Sequence, residues 1–446
     1  MNNSAAAAAT TAATEKRWGR LRFRCIIPVF FLLYLAVLWV MVTHAHTKIP
    51  TPATITSTFL MENATRTQRI RQSETILSSN NKPDDIPIKA AIQSTHPDFP
   101  KEPKPRPSLE SIVQGWNITG DPSWLLNLAI IGFPKTGTST LMHYLHMSSQ
   151  IHVFDEERCE MGYNQHVKLI ESLHKEIPSG DFIRGIKCPR DLEIPLALKN
   201  YETYFPKTDF MVGVRHPVEW FESFYNFRVQ NLFPMPPPET LTGRCTKRMN
   251  GLCTFRGNFH LFLANLGKTN IANDTQEQEL IPEKYRVAIR PRKLKGRVFL
   301  WDISQLKNDD HHLHNAINTM HDSNKNLYPH SNAQFRGDIQ HFLRLEEPLP
   351  EMIWVKPGAD HKNATILDHV DSKKIDICDF KYFKLRDELL KQGKLAAKWI
   401  RDYFLEADGV YVSQKDYFVN VVLKSWERDP CMDRKWKGKK KKNPGT

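Results

Sequence analysis

Eighteen consecutive uncharged residues, Cys25–Val42 (CIIPVFFLLYLAVLWVMV), interrupt an otherwise polar N-terminal run. As a helix rising about 1.5 Å per residue they reach roughly 27 Å, the short end of a bilayer span. Secretory signal cores run to only about 7–15 residues. No small-residue cleavage site follows; His44, His46 and Lys48 do. The pattern therefore predicts an uncleaved transmembrane anchor. Lys16, Arg17, Arg20, Arg22 and Arg24 precede it, which makes residues 1–24 a cytoplasmic tail and puts everything beyond the span on the luminal side.

Residues 43–120 are rich in Thr, Ser and Pro and read as a luminal stem, too polar to bury a core. Over 121–432 the pattern changes to short apolar runs separated by helical stretches. LNLAIIGF, IHVF, FIRGIKC, FMVGV and RVFLWD read as strands, most too apolar for a sheet with a wet face. Helices are expected over 138–147, 191–200, 217–230 and 258–266. Such alternation predicts an α/β domain, a mostly parallel central sheet with helices on both faces. The stretch 379–425 reads as predominantly helical.

Composition narrows the class. Of 446 residues, 40% are hydrophobic and 25% charged, which excludes a wholly disordered, collagen-like or polytopic membrane chain. The net charge of +13 resides mostly at the ends: the first 24 residues carry +4, the tail 434–446 carries +7, and +2 is left between. A broad nucleic-acid surface is therefore not expected, and residues 433–446 read as a basic, solvated tail. Six cysteines lie beyond the anchor, an even number suited to an oxidising lumen. Position suggests Cys245 with Cys253 and Cys378 with Cys431. Asn63, Asn117, Asn273 and Asn363 each open a glycosylation sequon.

The most informative segment is AIIGFPKTGTSTLM, residues 129–142. An apolar strand runs into a turn with two glycines, then into a helix opened by Thr138, Ser139 and Thr140. Unsatisfied N–H groups at such a helix start cradle an anion. A Walker A pattern laid on Gly132–Ser139 puts Thr138 where its lysine belongs; the lysine here, Lys135, lies three positions earlier. About 80 residues on, MVGVRHPVEWFESFY repeats the strand–turn–helix form. Pro217 suits a first helical position. Arg215 can fork onto a phosphate, and Ser223, two turns along, can donate to it.

PKTGTST resembles the 5′-phosphosulfate loop of sulfotransferases that use 3′-phosphoadenosine 5′-phosphosulfate (PAPS), and the Arg215…Ser223 spacing is similar to their 3′-phosphate grip. The resemblance covers roughly residues 125–310 and is nearest to the membrane-anchored, heparan-sulfate-type enzymes of the Golgi. It implies a P-loop-like fold, with Lys135, Thr136, Gly137, Thr138, Ser139, Thr140, Arg215 and Ser223 binding PAPS. By position Glu157 matches the family's base, with Glu156 and Asp155 as alternatives. Lys187, in Ile186-Lys187-Cys188-Pro189, matches a lysine facing the sulfuryl group or an anionic acceptor. Lys135 would stabilise the leaving phosphate and Glu157 take the acceptor's proton.

The implied acceptor is a carbohydrate or glycoconjugate hydroxyl or amine, and no metal is required. Two other readings stand beside this one. Val298–Asp302 can pass for a Walker B strand, which suits a luminal nucleotide-dependent kinase. A degenerate fold retained as a membrane-tethered glycan-binding protein is the other. His311, His312 and His314 read as a polar loop and not as a metal site. For the family's C-terminal nucleotide loop, Phe255-Arg256-Gly257, Lys295-Gly296-Arg297 and Lys437-Gly438-Lys439 are rivals. Acceptor identity and oligomeric state are not legible.

Overall fold

Four of the strands are buried along their whole length, as a parallel sheet covered on both faces requires. The computed structural model describes residues 99–269, 275–281, 292, 294–306, 331–352 and 372–432. The anchor, most of the stem, the His311–His314 cluster and the tail 433–446 lie outside these residues. Among the described residues, no helix is long and apolar enough to cross a membrane.

The sheet comprises β1 (Leu128–Ile130), β2 (Ile151–Val153), β3 (Ile183–Lys187), β4 (Asp209–Val214), β5 (Val298–Asp302) and β6 (Val410–Val412). All five pairings are parallel, in the order β2-β3-β1-β4-β5-β6. Side-chain alternation sorts these strands between two cores. Ala129, Ile131, Phe210, Val212, Val298 and Leu300 face one, and Leu128, Ile130, Met211, Phe299 and Trp301 face the other.

Helices α1 (Thr138–His146) and α6 (Asn332–Leu343) bury their apolar faces in the second core. The first core is covered by α2 (His166–Glu176), α3 (Pro195–Tyr204), α4 (Pro217–Gln230), α5 (Phe259–Leu263) and α7 (Phe383–Trp399). From β1 the chain runs outward to β2, returns through β3, and then crosses to β4 on the other side. The connections diverge at β1, so a crevice opens at the carboxyl ends of β1, β3 and β4.

One expectation needs correction. Residues 99–120, given to the stem on composition, pack on the sheet domain. Glu102 forms a buried ion pair with Arg184, Asn127 donates to the Pro100 carbonyl at 3.0 Å, and Ile112 and Val113 enter the core. A few apolar anchors and one buried carboxylate suffice to dock a segment whose average composition is polar. The C-terminal stretch is predominantly helical as expected, and within it Val410–Val412 adds β6 to the sheet edge beside β5.

Candidate active site

Gly137 stands in the left-handed region, φ 86°, at the N-cap of α1, and Lys135 shares that region at φ 70°. The turn between them reverses the chain so that the first amides of α1 face the crevice. Thr136 is fully buried and its hydroxyl donates to the Phe133 carbonyl at 2.7 Å. That side chain braces the loop, so the part implied for Thr136 falls to its backbone alone. A Cβ on Gly213 would stand 2.5 Å from the Thr136 hydroxyl and 2.6 Å from the Trp301 ring. Only glycine at the end of β4 lets the loop lie this close.

β4 pairs with β1 in register, Met211 against Ile130, so Arg215 and the loop leave neighbouring strand ends. His216 caps α4 by accepting from the Val218 N–H at 3.2 Å, with Pro217 at the first helical position. The Arg215 Nε lies 3.6 Å from the Glu219 carboxylate. Lys135, Arg215, Ser223, Phe227 and Lys374 line a single open cavity of about 340 Å³. The Lys135 ammonium sits 4.1 Å above the Phe227 ring. Burial, then the nearby Arg215 and Lys187 charges, pulls it from 10.5 down to about 8, against an opposing pull from Glu157. Lysine, arginine and carboxylate thus act on one another as one electrostatic cluster.

Lys187, at the end of β3, is buried and donates to Ser139 Oγ at 2.8 Å. Its ammonium also pairs with Glu157 Oε1 at 2.7 Å. Of the three acids 155–157, Glu157 is the one tied to this lysine. Asp155 lies 3.7 Å from His146, and Glu156 is exposed. A disulfide, Cys159–Cys188, staples the loop carrying Glu157 to the strand end carrying Lys187. The pairs expected from position, Cys245–Cys253 and Cys378–Cys431, are also present.

Of the three rival loops for the C-terminal nucleotide contact, the two among the described residues do not line this cavity. Phe255-Arg256-Gly257 borders a different cavity. Lys295-Gly296-Arg297 precedes β5 at the amino end of the sheet, where Arg297 pairs with Asp209. Lys437-Gly438-Lys439 lies outside the described residues. Lys374 does line the cavity. Ile375 and Asn226 exchange two hydrogen bonds, 2.8 and 3.0 Å, and the Ile377 N–H donates to Glu222 at 3.2 Å. Two adjacent lysines, Lys373 and Lys374, were the only signal in the sequence, and they lack the glycines by which such a loop is recognised. Asp302, the Walker B candidate, is buried and accepts from the Ser304 N–H at 2.8 Å, capping the turn after β5.

No protein-family model matches the chain, and no curated protein matches it. Among solved structures, the chain is similar to a sulfotransferase from Alicyclobacillus acidocaldarius. The identity is 14% and the TM-score 0.38, covering 68% of this chain and 99% of that one.

Proposed function

We propose that the chain is a sulfotransferase that moves a sulfuryl group from PAPS to a hydroxyl or amine of a carbohydrate acceptor. It works in the Golgi lumen as a single-pass type II membrane protein. One observation carries the reading: Lys135 after β1 and Arg215 with Ser223 after β4 line one cavity. A nucleotide phosphorylated at both the 3′ and 5′ positions needs two separate anion grips at such spacing, and ATP does not.

The chain's groups fit that ligand. The N–H groups that open α1, with Lys135, hold the 5′ end; Arg215, Ser223 and Lys374 hold the 3′ phosphate. PAPS supplies an activated sulfur–oxygen bond. As the acceptor oxygen or nitrogen closes on sulfur, Glu157 takes its proton and Lys135 and the α1 amides stabilise the negative charge left on phosphate. Lys187 holds Glu157 in place and adds positive charge beside the transferring group. Three disulfides among the described residues support an oxidising compartment, and the apolar Cys25–Val42 run supports the anchor.

The test is made on the full chain. Adenosine 3′,5′-bisphosphate is expected to bind more tightly than ATP with Mg²⁺, to lose affinity in Lys135→Ala and Arg215→Ala, and radiolabelled PAPS is expected to label a glycan acceptor. Indifference to the 3′-phosphate together with phosphoryl transfer from ATP would establish a kinase instead. Glycan binding without sulfuryl transfer across a broad acceptor panel would leave a non-catalytic lectin-like protein.

A further inference from the structure

The segment that packs on the sheet domain ahead of β1 ends in a small antiparallel hairpin, Val113–Gln114 against Asn117–Ile118. Its base is fixed. Ile112 and Val113 enter the core, Ile118 packs against it, and the Thr119 N–H donates to the Ile112 carbonyl at 2.8 Å. Its tip is Gly115-Trp116. Gly115 stands at φ 61°, and a Cβ placed on it would meet nothing within 4 Å, so the tip projects into open solvent. A two-residue hairpin turn asks for glycine at one central position and makes no demand for an aromatic at the other. Trp116 nevertheless fills that place with 85% of its surface exposed. Among the described residues, no ring or cation covers the indole. Neither the turn nor the packing explains this side chain.

The next residue supplies a reason. Asn117 opens Asn117-Ile118-Thr119, and of the four glycosylation sequons it is the one that lies among the described residues. Asn117 and Thr119 are both exposed. Asn117 closes the hairpin through its backbone, opposite Gln114, and among the described residues its side-chain amide has no hydrogen-bond partner. A substituent on that nitrogen therefore breaks nothing in the fold. The rest of the segment is tied to the end of α2, where Arg106 donates to the His174 and Ile177 carbonyls at 2.6 and 3.1 Å. None of the residues lining the cavity of Lys135 and Arg215 belongs to this segment, so a bulky group at the tip leaves that cavity open.

We propose that Asn117 carries an N-linked glycan and that the Trp116 ring is the platform for its first sugar. The donor is an oligosaccharide linked to a polyprenyl diphosphate. The Asn117 amide nitrogen attacks the anomeric carbon and an N–C bond forms. The C–O bond to the diphosphate breaks, and the amide proton leaves with the diphosphate released. The apolar C–H face of the pyranose then lies on the indole and removes from water a surface that the protein itself leaves bare. The modification rests on the luminal placement in the proposed function and is independent of the sulfuryl chemistry; the platform rests on the hairpin.

The full chain is produced in mammalian cells, trimmed with an endoglycosidase to a single N-acetylglucosamine per site, and mapped by mass spectrometry. The Asn117 peptide is expected to retain one sugar, and Asn117→Gln to lack it. Hydroxyl-radical footprinting then reads the ring. Oxidation of Trp116 should be severalfold slower in the trimmed wild type than in Asn117→Gln, against exposed Met432 as a reference common to both. Thr119→Ala, which keeps the asparagine and abolishes the sequon, supplies the same comparison should the glutamine variant fold poorly. Trp116→Ala should remain glycosylated but lose the rise in melting temperature that the single sugar confers on the wild type. Affinity for adenosine 3′,5′-bisphosphate is expected to be the same in all three variants. A bare Asn117 beside an occupied Asn63, Asn273 or Asn363 overturns the site and leaves the luminal placement standing, whereas four bare sequons overturn both. Equal Trp116 oxidation with and without the sugar overturns the platform.

Discussion

The Trp220 indole N–H donates to the Pro134 carbonyl at 2.8 Å, joining α4 to the loop that carries Lys135. The segments carrying Lys135 and Ser223 are therefore joined by a contact outside the cavity that both residues line. Pro134 cannot donate a backbone hydrogen bond, but its carbonyl fixes the loop against the helix. The ring itself is buried and meets Phe224 and Phe259 edge-on.

Trp220→Phe keeps an aromatic body there and removes the donor. A hydrogen bond of this kind contributes about 1 kcal/mol net, and the abandoned carbonyl and lost ring volume add to the cost. The expected outcome is a fall in thermal stability of about 1–3 kcal/mol and a weaker stabilisation by adenosine 3′,5′-bisphosphate. Melting curves with and without the nucleotide read both. An unaltered nucleotide-dependent shift would show that the two grips do not depend on this link.

Lys135 makes nucleotide affinity pH-dependent. In the free protein its ammonium titrates near 8, and an anion held beside it raises that value. Affinity for adenosine 3′,5′-bisphosphate should be flat below about pH 8, then decline with rising pH as the free protein loses the proton that the complex retains. The stability of the free protein moves in the opposite sense. Between about 8 and 10.5 the unfolded chain holds a proton that the folded chain has shed, so this group's contribution to stability rises with pH across that window. Calorimetric titrations from pH 6.5 to 9.5 in wild type and Lys135→Ala separate this lysine from the rest: the variant should lose the decline.

The strand–turn–helix segments were legible because backbone geometry dictates their residues. Gly137, the hydroxyl-rich start of α1, Pro217 and the Arg215–Ser223 spacing sit where the strand–turn–helix pattern put them, and α4 spans 217–230 as expected. What the sequence could not convey is contact between distant segments. Lys374 reaches the cavity only because Asn226 and Glu222 bind the backbone beside it. β6 is three residues long, half-buried, and lies inside a stretch of helical character. The helix α2 is absent from the expected elements although its apolar positions, Val167, Ile170 and Leu173, recur at helical spacing. The orientation of the Thr136 side chain depends on Gly213, far along the chain.

Gly213 offers a sharper probe of that packing. A methyl group added there meets the Thr136 hydroxyl on one side and the Trp301 ring on the other, and both neighbours are fully buried. Overpacking of this kind costs about 1–3 kcal/mol. Gly213→Ala should lower stability by that order and, through displacement of Thr136, loosen nucleotide binding. Adding Thr136→Ala, which removes the hydroxyl that the new methyl meets, should restore part of the affinity. A double-mutant cycle on bisphosphate binding measures the coupling; strict additivity would sever Gly213 from the loop.

Glu157 and the Cys159–Cys188 disulfide separate chemistry from binding. Glu157→Gln retains shape and a hydrogen-bonding oxygen for Lys187 but cannot accept the acceptor's proton, so sulfuryl transfer should fall by about 10²–10⁴-fold with nucleotide affinity nearly unchanged. Cys159→Ser with Cys188→Ser releases the loop from the strand end without removing either charged group. Because Lys187 alone then holds the carboxylate, kcat should fall less than in Glu157→Gln, and a further Lys187→Met change should cost more in that background than in the wild type. Loss of the cross-link also removes about 2–4 kcal/mol of stability, so rates are compared well below the melting temperature of the weakest variant. A Glu157→Gln protein of wild-type turnover would transfer the base to Glu156 or Asp155, and the same measurement on Glu156→Gln and Asp155→Asn would identify which.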